Sequence, residues 1–454
     1  MEEKLEKIFH FSEFKTSMKT ELMAGLTTFM GMAYILAVNP TILSATGMDK
    51  GAIFTATALA SAFGTLMMCL LTNYPFALAP GMGLNAYFAY TVVIKMGYSW
   101  QMALAAVFIE GIIFIILSLT NVREAIFNAI PQTLRLAITS GIGLFIGFIG
   151  FKDANIVVAN QATLVSIYSW KTQTSPTVGL TVVLAILGIL FTAFLMIKGV
   201  KGGILFGILG TWAVGIVCQL AGLYVPDPSL SMYSLIPDFS RGITFSGIGP
   251  TFMKFDFSQA FSLDFLAVMF AFLFVDIFDT LGTLTGCSIR AGYLDENGKL
   301  PKIKGALLAD AIATSVGAVL GTSTTTTYVE SSIGIEEGGR TGLTSLTVAI
   351  LFVVALFLSP IFLAIPSFAT APALVIVGFL MMQSVVHIEF TELTEGIPAF
   401  LCLAAMPLMY SISDGICVGI ISYTILNLLA GKKEKVSALM VVLTILFICK
   451  YIFI

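Results

Sequence analysis

A chain of 454 residues that is 57% hydrophobic and only 11% charged lies outside the range of soluble domains, about a quarter of whose residues are charged. Its net charge of −3, with the few basic residues confined to short loops, excludes nucleic acid as an expected partner. Apolar runs long enough to cross roughly 30 Å of hydrocarbon recur from end to end, so the lipid bilayer is the expected surrounding and 1–454 a single integral membrane domain.

The N-terminal MEEKLEKIFHFSEFKTSMKTE is charged and lacks the apolar core and small-residue cleavage site of a signal peptide, so it is expected to stay on the mature protein. Apolar windows punctuated by Gly, Pro and charge then predict spans at 22–45, 52–72, 79–96, 100–120, 133–151, 176–197 and 202–222. A polar stretch broken by Pro and Gly, 223–258, is the natural linker. The second set of spans falls at 259–284, 304–322, 325–340, 343–364, 368–386, 396–411 and 412–431, followed by an apolar tail at 437–454. The expectation is an all-α polytopic protein with repeat one at 22–222, repeat two at 259–431, and about 14 spans plus a possible extra C-terminal segment.

Orientation follows from Lys and Arg. With Lys4, Lys7, Lys15 and Lys19 cytoplasmic, the same side receives Arg123, Arg135, Lys198, Lys201, Arg290, Lys299, Lys302, Lys304, Lys432, Lys433 and Lys435. Lys152, Lys171, Arg241 and Lys254 fall outside, in longer loops where the rule is weak. An odd number of spans per half inverts the halves relative to each other. Traces of the repeat survive: KGAIFTATALASAFGTL (50–66) aligns without gaps on KGALLADAIATSVGAVL (304–320), and Ala129, Ile130, Pro131 and Gly143 match Ala364, Ile365, Pro366 and Gly378 at one constant offset. The cysteines, Cys69, Cys218, Cys287, Cys402, Cys417 and Cys449, show no CxxC pair and no neighbouring histidines, and are expected to be buried small hydrophobes.

Two spans, the third of each half, are too irregular for plain helices. ALAPGMGLNAYFAY (77–90) sets Pro80, Gly81 and Gly83 before Asn85, and GTSTTTTYVESSIGIEEGGRTG (321–342) carries a threonine run, Tyr328, Glu330, Ser331, Ser332 and several glycines. Interrupted segments in corresponding positions of two halves point to a transporter's midplane binding site, because unwound backbone there must be satisfied by protein, water or substrate. In FVDIFDTLGTLTG (274–286), Asp276, Asp279, Thr280 and Thr283 recur at i, i+3, i+4 and i+7 and share one helical face. A carboxylate at the bilayer centre costs about 2.5–3.5 kcal/mol on insertion scales, so that face must look inward. Were the span to end before Asp276, it would be only half length.

Other carboxylates carry weaker signals. Glu110 is expected to partner a buried hydroxyl, and Asp310 to be either such a partner or a proton-coupling group. His387, beside Glu389, reads as an interfacial residue, and Glu336 and Glu337, near Arg340, as facing a water-filled mouth.

At these residues the chain resembles the nucleobase/ascorbate transporter superfamily of uracil and xanthine permeases, and more closely its AzgA-like branch of hypoxanthine/guanine/adenine permeases. LMAGLTTFMGMAYILAVNP, NYPFALAPGMGLNA, DIFDTLGTLTG and TTTTYVESSIGIEEGGRTGLT carry the resemblance over nearly the whole chain. It implies a 7+7 inverted repeat, a core domain from the first four spans of each half, a gate domain from the last three, and short extended segments crossing in the third and tenth spans. It also implies acidic substrate-binding residues at Asp276 and Glu330, with Asn85 in or near the site and Asp279 as the branch's second aspartate. Aspartate replaces the wider family's glutamate in the eighth span, and the tail 437–454 exceeds fourteen spans.

Together these readings predict secondary active uptake of purine nucleobases (hypoxanthine, guanine, adenine) by proton symport and alternating access, not an enzyme. The expected substrate-binding residues are Asp276, Glu330, Asn85, Ser331, Tyr328 and Gly83, and the expected proton-coupling or supporting residues Asp276, Asp279, Asp310 and Thr280. Asp276 is expected to face the base, with Asp279 supporting it. No cofactor beyond a proton gradient and no metal are expected, and the resemblance adds a possible homodimer. The expected location is the cell inner membrane, multi-pass, N-terminus cytoplasmic. A sodium-coupled nucleobase carrier and an anion transporter of similar inverted-repeat fold remain as alternatives.

Overall fold

The computed structural model describes residues 2–120, 130–170, 175–227, 232–237, 246–258, 260, 262–293 and 300–453. Arg123, Ala129, Lys171, Arg241 and Lys299, used above, lie outside them. Among the described residues, eleven helices are long and apolar enough to cross a membrane: Met18–Ser44 (in two helical pieces), Lys50–Thr72, Trp100–Ser118, Gln132–Asp153, Pro176–Ile197, Gly203–Leu220, Val268–Ala291, Ile303–Leu320, Gly342–Ala364, Ser367–His387 and Ile412–Leu429. Leu393–Leu408 and Ala438–Cys449 are shorter apolar helices. The helix carrying the two aspartates runs from Leu263 to Ala291, so both lie inside it and not at its end.

The third and tenth spans are the exceptions. Each opens on a buried three-residue strand, β1 (Leu78–Pro80) and β4 (Thr325–Thr327). β1 passes into a short helix, Met82–Ala86, and then a wider π-helical stretch, Tyr87–Lys95; β4 passes into Ser331–Glu336. The strands pair antiparallel, with Ala79 opposite Thr326, and Gly81 N–H to Thr324 O (3.0 Å) and Tyr328 N–H to Ala77 O (2.9 Å) extend the ladder at either end. Inside a membrane such a pair satisfies backbone groups that no water can reach.

Packing obeys an exchange of halves. Lys50–Thr72 packs on Gly342–Ala355 as Ile303–Leu320 packs on Trp100–Ser118; Gln132–Asp153 packs on Leu393–Leu408 as Ser367–Met382 packs on Pro176–Ile197. Elements equivalent in the two halves meet one another directly: Lys50–Thr72 with Ile303–Leu320, β1 with β4, and Gln132–Asp153 with Ser367–Met382. Such a pattern is what an inverted repeat about one two-fold axis produces. The densest packing separates a core group, the first four spans of each half, from a gate group, the last three.

Both helices of the last equivalent pair start just after a proline, Pro131 and Pro366, which stand at their N-caps. Gly143 and Gly378 mark their closest crossing. A Cβ at Gly143 would lie 2.6 Å from Gly378 O, and one at Gly378 would lie 2.5 Å from Gly143 O.

Two features depart from expectation. Val157–Asn160 and Leu164–Ile167 form an antiparallel hairpin, β2 and β3, in the loop between the fifth and sixth spans; the Asn160 side chain accepts the N–H groups of Ala162 and Thr163 and shapes its turn. Four cysteines are buried, but Cys218 is half-buried and Cys449 exposed, because the outer surface of a span meets lipid and needs no protein cover.

The tail forms a helix, Ala438–Phe453, packed on Ile412–Leu429. Thr444 donates to Thr424 (2.9 Å) and Tyr451 to Asp414 (3.1 Å), so the two helices run antiparallel. Phe447 reaches Phe270 and Phe274 of the aspartate-bearing helix. Lys432 bonds Glu392 (2.8 Å), and this ammonium, with Thr394, holds the Glu392 carboxyl down at about 2.

Candidate functional site

Where β1 and β4 cross, the aspartate helix and the ninth span close a polar cluster. Asp276, Thr280, Asp310 and Asn85 are fully buried. The Thr280 hydroxyl lies 2.9 Å from Asp276 Oδ1, 2.6 Å from Asp310 Oδ2 and 2.8 Å from Thr326 Oγ1. Asp310 Oδ1 accepts the Thr327 N–H (2.9 Å) and its hydroxyl (3.1 Å). The helical spacing of Asp276 and Thr280 thus joins them to a carboxylate from another span, so no lipid-facing charge arises.

Asp279 is placed differently. Its carboxylate lies against Gly81, 3.2 Å from where a Cβ would stand, and the residue is half-buried. Asp276 is thus the more enclosed of the two and Asp279 the more exposed. The cause is geometric: the i and i+4 residues turn toward the ninth span, while i+3 turns toward the strand crossing.

Glu330 follows β4 and is the N-cap residue of Ser331–Glu336, with no side-chain bond to that helix. Its Oε1 accepts the Tyr34 hydroxyl at 2.5 Å. Asn85 accepts from the Ser323 hydroxyl and donates to Pro80 O at 3.3 Å. Tyr328 donates to Pro80 O at 2.6 Å, and Ser331 Oγ accepts from Ala77 N–H at 2.9 Å, so both brace one strand against the other. Gly83 faces Ile142, 2.8 Å from its would-be Cβ, which places it at the packing of this segment on the gate group. The site thus gathers Asp276, Asp279, Asp310, Thr280, Glu330 and Asn85, with Tyr328 and Ser331 bracing it and Gly83 on its gate side.

The remaining carboxylates are spent on protein. Glu110 accepts the Thr324 hydroxyl at 2.9 Å. Glu336 pairs with Arg290 at 2.5 Å and Glu337 with Lys201, while Arg340 donates to the carbonyls of Ile335 and Gly339. His387 is exposed at its span end.

Three polar residues escape sequence reasoning. Tyr34 reaches Glu330 from a break in the first span. Asn39 donates to Thr57 (2.7 Å) and Thr322 (2.9 Å), tying the first, second and tenth spans together. Glu21 is fully buried and accepts the N–H groups of Arg340 and Thr341 and the Thr344 hydroxyl at the start of the eleventh span. The signal for Tyr34 and Asn39 is a lone polar side chain in an apolar run, which names no partner, and Glu21 ends a charged stretch that gives no hint of its burial.

A family model described as the permease family matches residues 19–418. The chain is 45% identical to the guanine/hypoxanthine permease PbuO of Bacillus subtilis, over 97% of this chain and 98% of that protein. It is 40% identical to the adenine permease AdeP of Escherichia coli, over 99% and 96%. Among solved structures, the transmembrane domain of a cyanobacterium bicarbonate transporter, BicA, superposes with a TM-score of 0.64 at 16% identity, over 88% of this chain and 97% of that one; at that identity the likeness speaks for the inverted-repeat fold alone. The chain belongs to the permease family, on the branch that holds the guanine/hypoxanthine and adenine permeases.

Proposed function

We propose that this permease carries purine nucleobases, hypoxanthine, guanine and adenine, inward across the cytoplasmic membrane by alternating access, coupled to the proton gradient. The observation that carries the reading is a pair of carboxylates at a buried strand crossing: Asp279 against Gly81 at the end of β1, and Glu330 beyond β4 with Tyr34 as its hydrogen-bond partner. A purine offers N–H donors on a flat ring, and a carboxylate accepts them. An anion would instead be repelled by both groups.

Proton coupling is supported by counting hydrogens at Thr280. A hydroxyl donates one proton, yet Thr280 Oγ1 stands within 2.9 Å of Asp276 Oδ1 and 2.6 Å of Asp310 Oδ2. One of the two acids must therefore bring its own proton. Asp310 also takes two donors from Thr327. In this reading Asp276 is the acid that donates to Thr280, and Thr280 donates onward to Asp310. Asp279 and Glu330 are then left for the base.

The test is uptake of radiolabelled hypoxanthine, guanine, adenine and uracil into proteoliposomes holding the purified chain. We expect uphill accumulation of a purine when the outside is acidic, collapse with a protonophore, and indifference to replacing sodium. Accumulation that follows a sodium gradient would remove the proton, and absence of purine uptake would remove the substrate. The N-terminus is cytoplasmic in this reading, which protease access to an N-terminal tag in sealed cells and in inverted vesicles decides.

A further inference from the structure

The first span is broken at Ala33 and Tyr34, between helices Met18–Met32 and Ile35–Ser44. The break turns the Tyr34 hydroxyl to 2.5 Å from Glu330 Oε1, with Tyr34 only 1% exposed. Close packing holds the contact. A Cβ at Gly31, one turn earlier, would stand 2.7 Å from Ile333 Cδ1 and 3.7 Å from Glu330 Cβ, so glycine there lets the span close on the segment that carries Glu330. Glu330 has no side-chain cap bond to its own helix, and among the described residues Tyr34 is the one side chain that bonds its carboxylate. Oε1 is thereby engaged by the protein.

We propose that Tyr34 is a specificity-determining residue: by engaging Oε1 it leaves Oε2 as the open oxygen of Glu330 and makes any second N–H of the bound base compete with the hydroxyl for Oε1. The inference rests on the nucleobase reading of the site. A carboxylate with both oxygens open grips two parallel N–H groups as a fork. Guanine presents such a pair, N1–H beside its 2-amino group, whereas hypoxanthine presents N1–H alone. With Tyr34 on Oε1, the 2-amino group of guanine must share that oxygen with the hydroxyl, and the shared bond adds little affinity. Loss of the hydroxyl opens Oε1 and rewards the second donor.

The experiment is competition by unlabelled guanine and hypoxanthine against a labelled purine, in proteoliposomes of the wild type, Tyr34→Phe and Tyr328→Phe. In the wild type we expect guanine to bind no more than about threefold tighter than hypoxanthine, since a hydrogen bond to a charged group is worth roughly tenfold or more. In Tyr34→Phe the guanine preference should rise by roughly tenfold. Tyr328→Phe, whose hydroxyl serves Pro80 O, should weaken both bases alike. An unchanged ratio in Tyr34→Phe, or a wild type that already prefers guanine more than about tenfold, overturns the proposal. If Tyr34→Phe does not fold, the wild-type ratio decides alone. A wild type that no purine inhibits overturns the substrate reading itself, an outcome separate from purine binding with an unmoved ratio.

Discussion

The two aspartates of the eighth span sit three residues apart and face different surroundings. Asp276 lies at 0% exposure among Thr280 and its partners, while Asp279 turns to Gly81 at the strand crossing. Neutralising them should therefore have different consequences. Asp279→Asn and Glu330→Gln each remove a charged acceptor, worth about 1.5–3 kcal/mol per bond, so we predict that KM for the purine rises roughly 10- to 100-fold. Asp276→Asn keeps a donor toward Thr280 but cannot release a proton, so it should retain base exchange across the membrane and lose accumulation driven by a pH gradient. Counterflow and gradient-driven uptake measured on the same vesicles separate the two phenotypes. Asp276→Asn that still accumulates substrate in a pH-dependent way would end its coupling role. Asp279→Asn with unaltered KM would end the assignment of Asp279 to the base.

Between elements, the sharpest constraint is the crossing of Gln132–Asp153 and Ser367–Met382 at Gly143 and Gly378. Each glycine faces the other's carbonyl, at 2.6 and 2.5 Å from a would-be Cβ, so no side chain fits without parting the helices. Overpacking of this kind costs typically 1–3 kcal/mol. We predict that Gly143→Ala and Gly378→Ala lower the unfolding temperature in detergent, whereas Gly147→Ala does not, because a Cβ at Gly147 meets nothing within 4 Å and alanine suits a helix better. Equal effects at all three positions would show that the crossing is not what matters. The same two glycines show why much of the fold was legible. Repeat-related helices that meet on an axis need small residues at matching positions, and proline starts both, so Pro131, Gly143, Pro366 and Gly378 stayed in register in the sequence. The broken spans were legible for a related reason, since Pro, Gly and threonine runs cannot continue a helix. Tyr34 was not: its partner is 296 residues away, and a tyrosine in an apolar run reads as packing until the contact is seen. Nor could spacing alone divide the duties of Asp276 and Asp279, because i and i+3 share a broad face and only the neighbouring ninth span decides which one is enclosed.

At the scale of the molecule, the core and gate groups are pinned to each other at both ends. At one mouth Lys95, ending the third span, pairs with Asp414 of the last span at 3.6 Å and also bonds Met409 O at 2.7 Å. At the other, Glu337, ending the tenth span, pairs with Lys201 ahead of Gly203–Leu220. The third and tenth spans are equivalents under the repeat, as are the seventh and last, so the two ion pairs occupy equivalent places with their charges exchanged. Exposed pairs of this kind are individually worth about 0–1 kcal/mol, which suits contacts that must open and close in every cycle. Alternating access by motion of one group against the other requires one of these mouths to part at each step. Arg290 and Glu336, at 2.5 Å, lie within the core group and should move together. We predict that a covalent cross-link between Lys201→Cys and Glu337→Cys arrests uptake and that reductant restores it, in a background with Cys218 and Cys449 replaced by serine. The same cross-link between Arg290→Cys and Glu336→Cys should leave uptake intact. If linking Lys201 to Glu337 left uptake running, substrate would have to pass without the mouth parting, and relative motion of the two groups could not be the transport step. If linking Arg290 to Glu336 also stopped uptake, the core group would itself have to deform, and the boundary between moving parts would lie inside it.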